Sequence, residues 1–339
     1  MPDPERLEND LTRRDMSLQR VNADLSRKAA RDLATLEDAV LDWIRRVDPA
    51  EPARKGDQIN RVDRILRELS PQISATYRTL LRRLVQAQIE LIYDESEVTR
   101  RLAARSGLDL KRGISPNKAK ELAEALLIDG QTVADHTKRQ AAGIRQTVGV
   151  ELKKGVVAKE SLTRLVARVR GDKALRYSNG VFRAYERHAR VTVATAMSGA
   201  SNAGRFATYQ ANDDVVQAIQ AINPLDSGTS DICRARAGRT WFLKSGQPAP
   251  GNTEQWPGPP PWHPGCRTTL LPLGRTDAPV AGKTFGGFLD SMSEAQQRQI
   301  LGPGKFELWR KGDISMGDLI NQSGRPLTLE QLRTQFADE

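Results

Sequence analysis

Val215-Val-Gln-Ala-Ile-Gln-Ala-Ile222 decides the fold class. Before about Asp213 the chain carries helical periods. Here valine and isoleucine crowd together in a pattern that fits a strand, with the end of a helix as the other reading. Two further runs read as strands, Arg239-Thr-Trp-Phe-Leu243 and Thr268-Thr-Leu-Leu-Pro272. Between these two lies 246–261, rich in glycine and proline, which reads as an irregular loop. The expectation is therefore an α+β protein, mostly helical, in which a small sheet follows a long helical region.

Working upstream, Val21, Leu25, Ala29, Leu33, Leu36, Val40, Trp43 and Val47 recur at spacings of three and four, which predicts an amphipathic helix over 15–47. Asp48-Pro-Ala-Glu-Pro-Ala-Arg-Lys-Gly56 breaks it. A second pattern runs through Ile59, Val62, Leu66 and Leu69. Ser70-Pro71 then reads as an N-cap with proline at the first helical position, so a new helix is expected there. Ser115-Pro116 repeats that signal. Further helices are expected from Thr132 to about Lys153, over 161–169, and from about Val181 to Tyr209. The tail from Phe285 reads as two or three short helices. The expected division is an elongated helical arm over 1–115, connecting helices over 116–154, and an α+β module over 155–339. The arm's apolar seams are narrow, so it is expected to be mobile alone, whereas the module is expected to fold by itself.

The formal net charge is +10, which favours anionic partners such as nucleic acid, an acidic protein face or a membrane surface. The basic residues are spread along the chain, so a concentrated nucleic-acid face is not read from them. Arg82-Arg83, Arg100-Arg101 and Lys153-Lys154 have no interleaved aromatics, which argues against a single-strand stacking platform. No run approaches the roughly 18 apolar residues of a membrane span. The N-terminus lacks the apolar segment of a secretory signal, and two cysteines in 339 residues do not make a secreted disulfide scaffold. A chain made and used first in a cytoplasm is expected.

Both cysteines fall in two local islands. The first is Asp226-Ser-Gly-Thr-Ser-Asp-Ile-Cys233-Arg-Ala-Arg-Ala-Gly238, and the second is Pro259-Pro-Pro-Trp-His263-Pro-Gly-Cys266-Arg-Thr-Thr-Leu270. His263 and Cys266, two ends of one tight turn, could reach a common metal, and Cys233 could close the site across a hairpin. Zinc is the candidate, and it wants four ligands in a tetrahedron. Only three soft donors are present, so the fourth would be Asp226, Asp231 or water. A Cys233–Cys266 disulfide or close thiol pair, and unlinked packing of two small residues, stand beside the metal reading. Asp226 and Arg267 each flank a loop–strand junction, and a buried pair between them would lock the islands together. Asn202, Gly204 and Arg205 read as helix-packing and capping residues, with Arg205 able to hold a carbonyl or carboxylate. His136 and His188 lie on expected helices with no partner nearby in sequence. No Ser/His/Asp order, phosphate-binding loop or dinucleotide fingerprint is present.

The two islands, in this order, resemble the signature of the phage head morphogenesis family, the Mu protein F-like minor capsid proteins. Upstream, Ser201-Asn-Ala-Gly-Arg205-Phe-Ala-Thr-Tyr209 resembles that family's Asn-x-Gly-Arg-x-x-x-Tyr element. Downstream, Ile300-Leu-Gly-Pro-Gly-Lys-Phe-Glu-Leu-Trp-Arg-Lys-Gly312 and Gly324-Arg-Pro-Leu-Thr-Leu-Glu-Gln-Leu332 resemble its closing run. The resemblance covers 155–335. Three positions depart from it. Ala194-Thr195-Ala196 stands where the family often has an acidic word, Ser230 where many members have a cysteine, and Thr268 where many have another.

The resemblance implies a non-enzymatic virion protein, present in few copies and associated with the portal and the capsid interior. It implies a role in head assembly, with genome packaging or ejection as a further expectation. Portal and other head proteins are the implied partners, and packaged double-stranded DNA, contacted without sequence preference, is a further one. A C-terminal toxin or enzyme domain, fused to some members, is not expected after the closing run. Two rivals remain: a metal-dependent nuclease or hydrolase built on Cys233, His263 and Cys266, and a free-standing basic DNA-binding protein.

Overall fold

The helical periods close into long helices because their apolar stripes find packing partners. The computed structural model describes residues 2–275, 277–280 and 284–336. Helix α1 spans Pro4–Val47 and α2 spans Lys55–Arg105. A shorter α3, Pro116–Ala125, begins at Ser115, whose side chain accepts from the Lys118 amide. Two-residue strands β1 (Leu127–Ile128) and β2 (Gln131–Thr132) flank the Asp129-Gly130 turn. Helix α4, Val133–Val157, starts in a reciprocal capping box between Thr132 and Asp135. Helices α5 (Leu162–Arg170) and α6 (Val181–Ala211) follow. Among the described residues, no helix is long and apolar enough to cross a membrane.

Ser70-Pro71 does not start a helix. Pro71 lies inside α2. Pro71 and Arg67, whose carbonyl loses its helical donor, are both exposed residues, while Ile65, Leu69, Ile73 and Tyr77 continue one buried stripe past them. Burial of that stripe offsets the lost hydrogen bond, which water can replace at an exposed carbonyl.

The chain forms two compact units that interleave along the sequence. One comprises Gln19–Ala87 and Gly130–Ala196, the other Met1–Leu18, Gln88–Asp129 and Met197–Glu339. Helices α1, α2 and α6 each contribute a segment to both units. The compact units therefore do not follow the expected cuts at 115 and 154, and the outermost residues of that division lie outside the described ones. In the first unit, Leu33, Leu36, Val40 and Ile44 of α1 pack with Ile65, Leu69 and Tyr77 of α2, Ile144, Val148 and Leu152 of α4, and Leu165 and Val169 of α5.

The second unit holds the sheet. Strand β3 spans Val216–Ile222, β4 Thr240–Phe242 and β5 Thr269–Gly274, in the order β4-β3-β5, all antiparallel. Ile219 pairs with Trp241 on one side and with Pro272 on the other. Pro272 is tolerated because β5 is an edge strand. A short helix α7, Asp231–Arg236, sits in the first island, where no helical period is read. Helices α8 (Phe285–Asp290), α9 (Glu294–Leu301), α10 (Pro303–Lys311) and α11 (Leu329–Phe336) gather around Phe285, Leu289, Phe306, Leu319 and Leu332. The glycine- and proline-rich loop is irregular but pinned. Glu254 takes Arg236 at 2.6 Å and Arg239 at 2.7 Å, and its carbonyl takes the Trp241 indole at 2.8 Å.

Leu7 and Leu11 of α1, with Ala103, Leu108 and Leu110 at and beyond the end of α2, share one core with Tyr209, Ile219, Trp241, Leu270 and Leu271. A segment beginning near 155 would lack that side of its own core.

Candidate metal centre

His263-Pro-Gly-Cys266 is a turn written in its residue types. Proline presets one central position, and Gly265 takes φ +78, the left-handed conformation a type II turn requires at the other. The Cys266 amide donates to the His263 carbonyl at 3.1 Å, closing the turn. The opposite wall comes from α7. Ser230 is its N-cap and accepts from the Cys233 amide at 3.3 Å.

These two local structures bring Cys233, His263 and Cys266 together. Their donor atoms all lie within 4.8 Å of one another, with both cysteines buried and the histidine half-buried. Cys233 Sγ stands 3.8 Å from Cys266 Sγ and 3.0 Å from His263 Nε2. Both thiols are free. A disulfide would need the sulfurs to close to about 2.05 Å. His263 Nδ1 lies 2.8 Å from the Pro264 carbonyl, which accepts its proton and leaves Nε2 as the lone-pair nitrogen facing the sulfurs. Ser230 Oγ is 2.8 Å from the same Nε2. Thr268 Oγ1 lies 3.2 Å from Cys233 Sγ and accepts from Asn223 Nδ2 at 2.7 Å, which leaves its own proton free to turn to sulfur. The Cys266 thiol is held well below its ordinary range by the Cys233 thiol donating to it, while that bond and burial push Cys233 up. The pair therefore favours one thiolate, a donor that metals prefer.

Asp226 and Arg267 do pair, bidentate at 2.6 and 2.8 Å. The pair is not buried: the side chains keep 47% and 42% of their surface. An exposed pair contributes little stability. Asp226 also organises its own loop, accepting from the Gly228 amide at 2.9 Å and the Thr229 hydroxyl at 3.3 Å. Arg267 holds its carboxyl below the usual range. The other carboxylate near the island, Asp231, is engaged by Arg234 at 3.0 Å and Lys305 at 2.5 Å.

Asn202, Gly204 and Arg205 lie well inside α6, so none is a cap. Asn202, Arg205 and Tyr209 form one helix face and bond to consecutive residues of the second island's strand. Asn202 Nδ2 donates to the Thr268 carbonyl at 2.9 Å, Arg205 to the Thr269 hydroxyl, and Tyr209 to the Leu270 carbonyl at 3.0 Å. Gly204 permits close approach, since a Cβ there would stand 2.4 Å from the Ile92 carbonyl oxygen of α2. Arg205 is fully buried. It meets Glu95, equally buried, at 2.9 Å and Asp15 at 2.7 Å. Arg14 reaches the second Glu95 oxygen at 2.5 Å. Burial pushes the Asp15 carboxyl above its ordinary range against the pull of Arg205.

Glu95 and Asp15 had no place in the sequence reading. A signal existed for Glu95: after Leu91 and Ile92 the buried face of α2 continues with Glu95, Ser96 and Thr99 instead of apolar residues. His136 sits beside Arg139 and His188 stacks edge-on against Tyr185, and among the described residues neither joins a group of metal-binding donors. Comparison with protein-family models, curated proteins and solved structures finds no match to this chain.

Proposed function

We propose that the chain is a non-enzymatic minor head protein of a tailed phage, joined to the portal and the capsid interior and acting in head morphogenesis. The observation that carries this reading is the bonding of Asn202, Arg205 and Tyr209 to residues 268–270. It makes one structural unit out of the sequence words that resemble the head morphogenesis family, as a shared module would. The work required of such a protein is association. Asp226 and Asp231, the carboxylates a nuclease would use beside the sulfur site, are each tied to basic side chains, which supports the non-enzymatic reading. The protein would be made in the host cytoplasm and carried in the virion. Its +10 charge suits weak, sequence-independent contact with packaged duplex DNA.

Quantitative mass spectrometry of purified particles, with and without the gene, tests this. A few copies per particle are expected, and defective heads when the gene is deleted. Particles of full titre that lack the chain would refute it.

A further inference from the structure

We propose that Cys233, His263 and Cys266 bind one zinc ion in a tetrahedral site whose fourth corner faces Ser230. This inference stands apart from the assembly role, and neither depends on the other.

Zinc–sulfur bonds of about 2.3 Å at the tetrahedral angle hold two thiolates about 3.8 Å apart. The Cys233 and Cys266 sulfurs are 3.8 Å apart. Two thiols in simple contact would match as well, so the deciding features are those around them. His263 is fixed in the tautomer a metal needs, with its Nδ1 proton on the Pro264 carbonyl and its Nε2 lone pair directed at the sulfurs. Such an anchor on the far nitrogen is the usual partner of a metal-bound imidazole. Thr268 completes an outer layer: it receives the Asn223 amide and can donate its own proton to a Cys233 thiolate at 3.2 Å. That bond stabilises a thiolate more than a thiol. The imidazole must shift. Nε2 lies 3.0 Å from Cys233 Sγ, and zinc between them would widen this by about 0.5 Å.

Three protein donors leave one corner. Ser230 Oγ lies 2.8 Å from Nε2 and sits one helical turn before Cys233, on the same side of α7. A sulfur at 230 would therefore point at the ion. That yields a gain-of-affinity test, which a role in packing or in a disulfide would not pass.

The full chain is purified reduced and metal-free, then titrated with cobalt(II), a spectroscopic stand-in for zinc. One equivalent should produce a thiolate charge-transfer band and intense visible bands of a tetrahedral ion, both removed by zinc. Cys233→Ser and Cys266→Ser should each abolish the band. His263→Ala should weaken binding by about 10–100-fold, and Ser230→Cys should tighten it at least tenfold. The wild-type spectrum decides the matter even where a variant fails to fold. No charge-transfer band from reduced wild-type protein would overturn the site. A Cys233–Cys266 disulfide formed in the presence of equimolar zinc would overturn it too. An unchanged affinity in folded Ser230→Cys would overturn the placement of the fourth corner.

Discussion

Arg205 and Glu95 are each 0% exposed and meet at 2.9 Å. Removing one partner of a buried pair typically costs about 3–5 kcal/mol, because the other charge is left in a poorly polarisable interior. Here the fully buried charge left behind keeps a second partner. In Arg205→Met, Glu95 retains Arg14 at 2.5 Å. In Glu95→Met, Arg205 retains Asp15 at 2.7 Å. Each single variant should therefore fall at the low end, a loss of about 3 kcal/mol. The double variant removes both buried charges and leaves Arg14 paired with Asp94 near the surface. Its loss should be about 3–4 kcal/mol, not the ~6 of simple addition, giving a coupling of about 2–3 kcal/mol. Urea titration followed by tryptophan fluorescence is a suitable assay. Trp241, Trp256, Trp262 and Trp309 lie in the unit that contains the pair, and Trp43 alone lies in the other. Single losses below about 1 kcal/mol, or additivity within about 0.5 kcal/mol, would refute the assignment of a coupled buried pair.

Pro71→Ala should stabilise the protein by about 2 kcal/mol: an interior proline costs a helix about 3 kcal/mol relative to alanine, less the ~0.4–1 kcal/mol it withholds from the unfolded chain. Thermal unfolding followed by far-UV circular dichroism measures this, and a destabilisation would mean that Pro71 begins a helix after all. Asp15→Asn tests the half-buried carboxyl through pH. Its folded-state value lies above the ordinary 3.8, so the native state holds that proton more tightly than the unfolded one. Wild-type stability from this group is lost as pH rises from 3.8 through the raised folded value. The Asn variant does not titrate and should gain on wild type across that window, with a flat difference above it. A difference that moves the other way in paired urea titrations would overturn the assignment.

Much of this protein is determined by sequence that acts within a few residues. Ser115, Thr132 and Ser161 cap the helices they precede, because an N-cap needs only its own side chain and the amides of the next turn. Val216–Ile222 is a strand, and His263-Pro-Gly-Cys266 sets its own turn. The islands that share the chain's two cysteines could be singled out because rare residue types were concentrated in them. Tertiary structure decided whatever depended on partners distant along the chain. Pro71 carried a sound local start signal, and a buried stripe from Ile65 to Tyr77 overrode it, since packing energy accumulates along a helix and a single missing hydrogen bond does not. The Asp226–Arg267 pair formed at the surface, where nothing in its own residues distinguishes burial from exposure. Glu95 and Asp15 became partners of Arg205 because α1 and α2 bring them to α6 from positions up to 190 residues away. For the same reason the boundary of the sheet unit could not be read along the chain: Leu7 and Leu11 complete a core whose strands begin at Val216, and burial is shared by residues that meet in space, whatever their order in sequence.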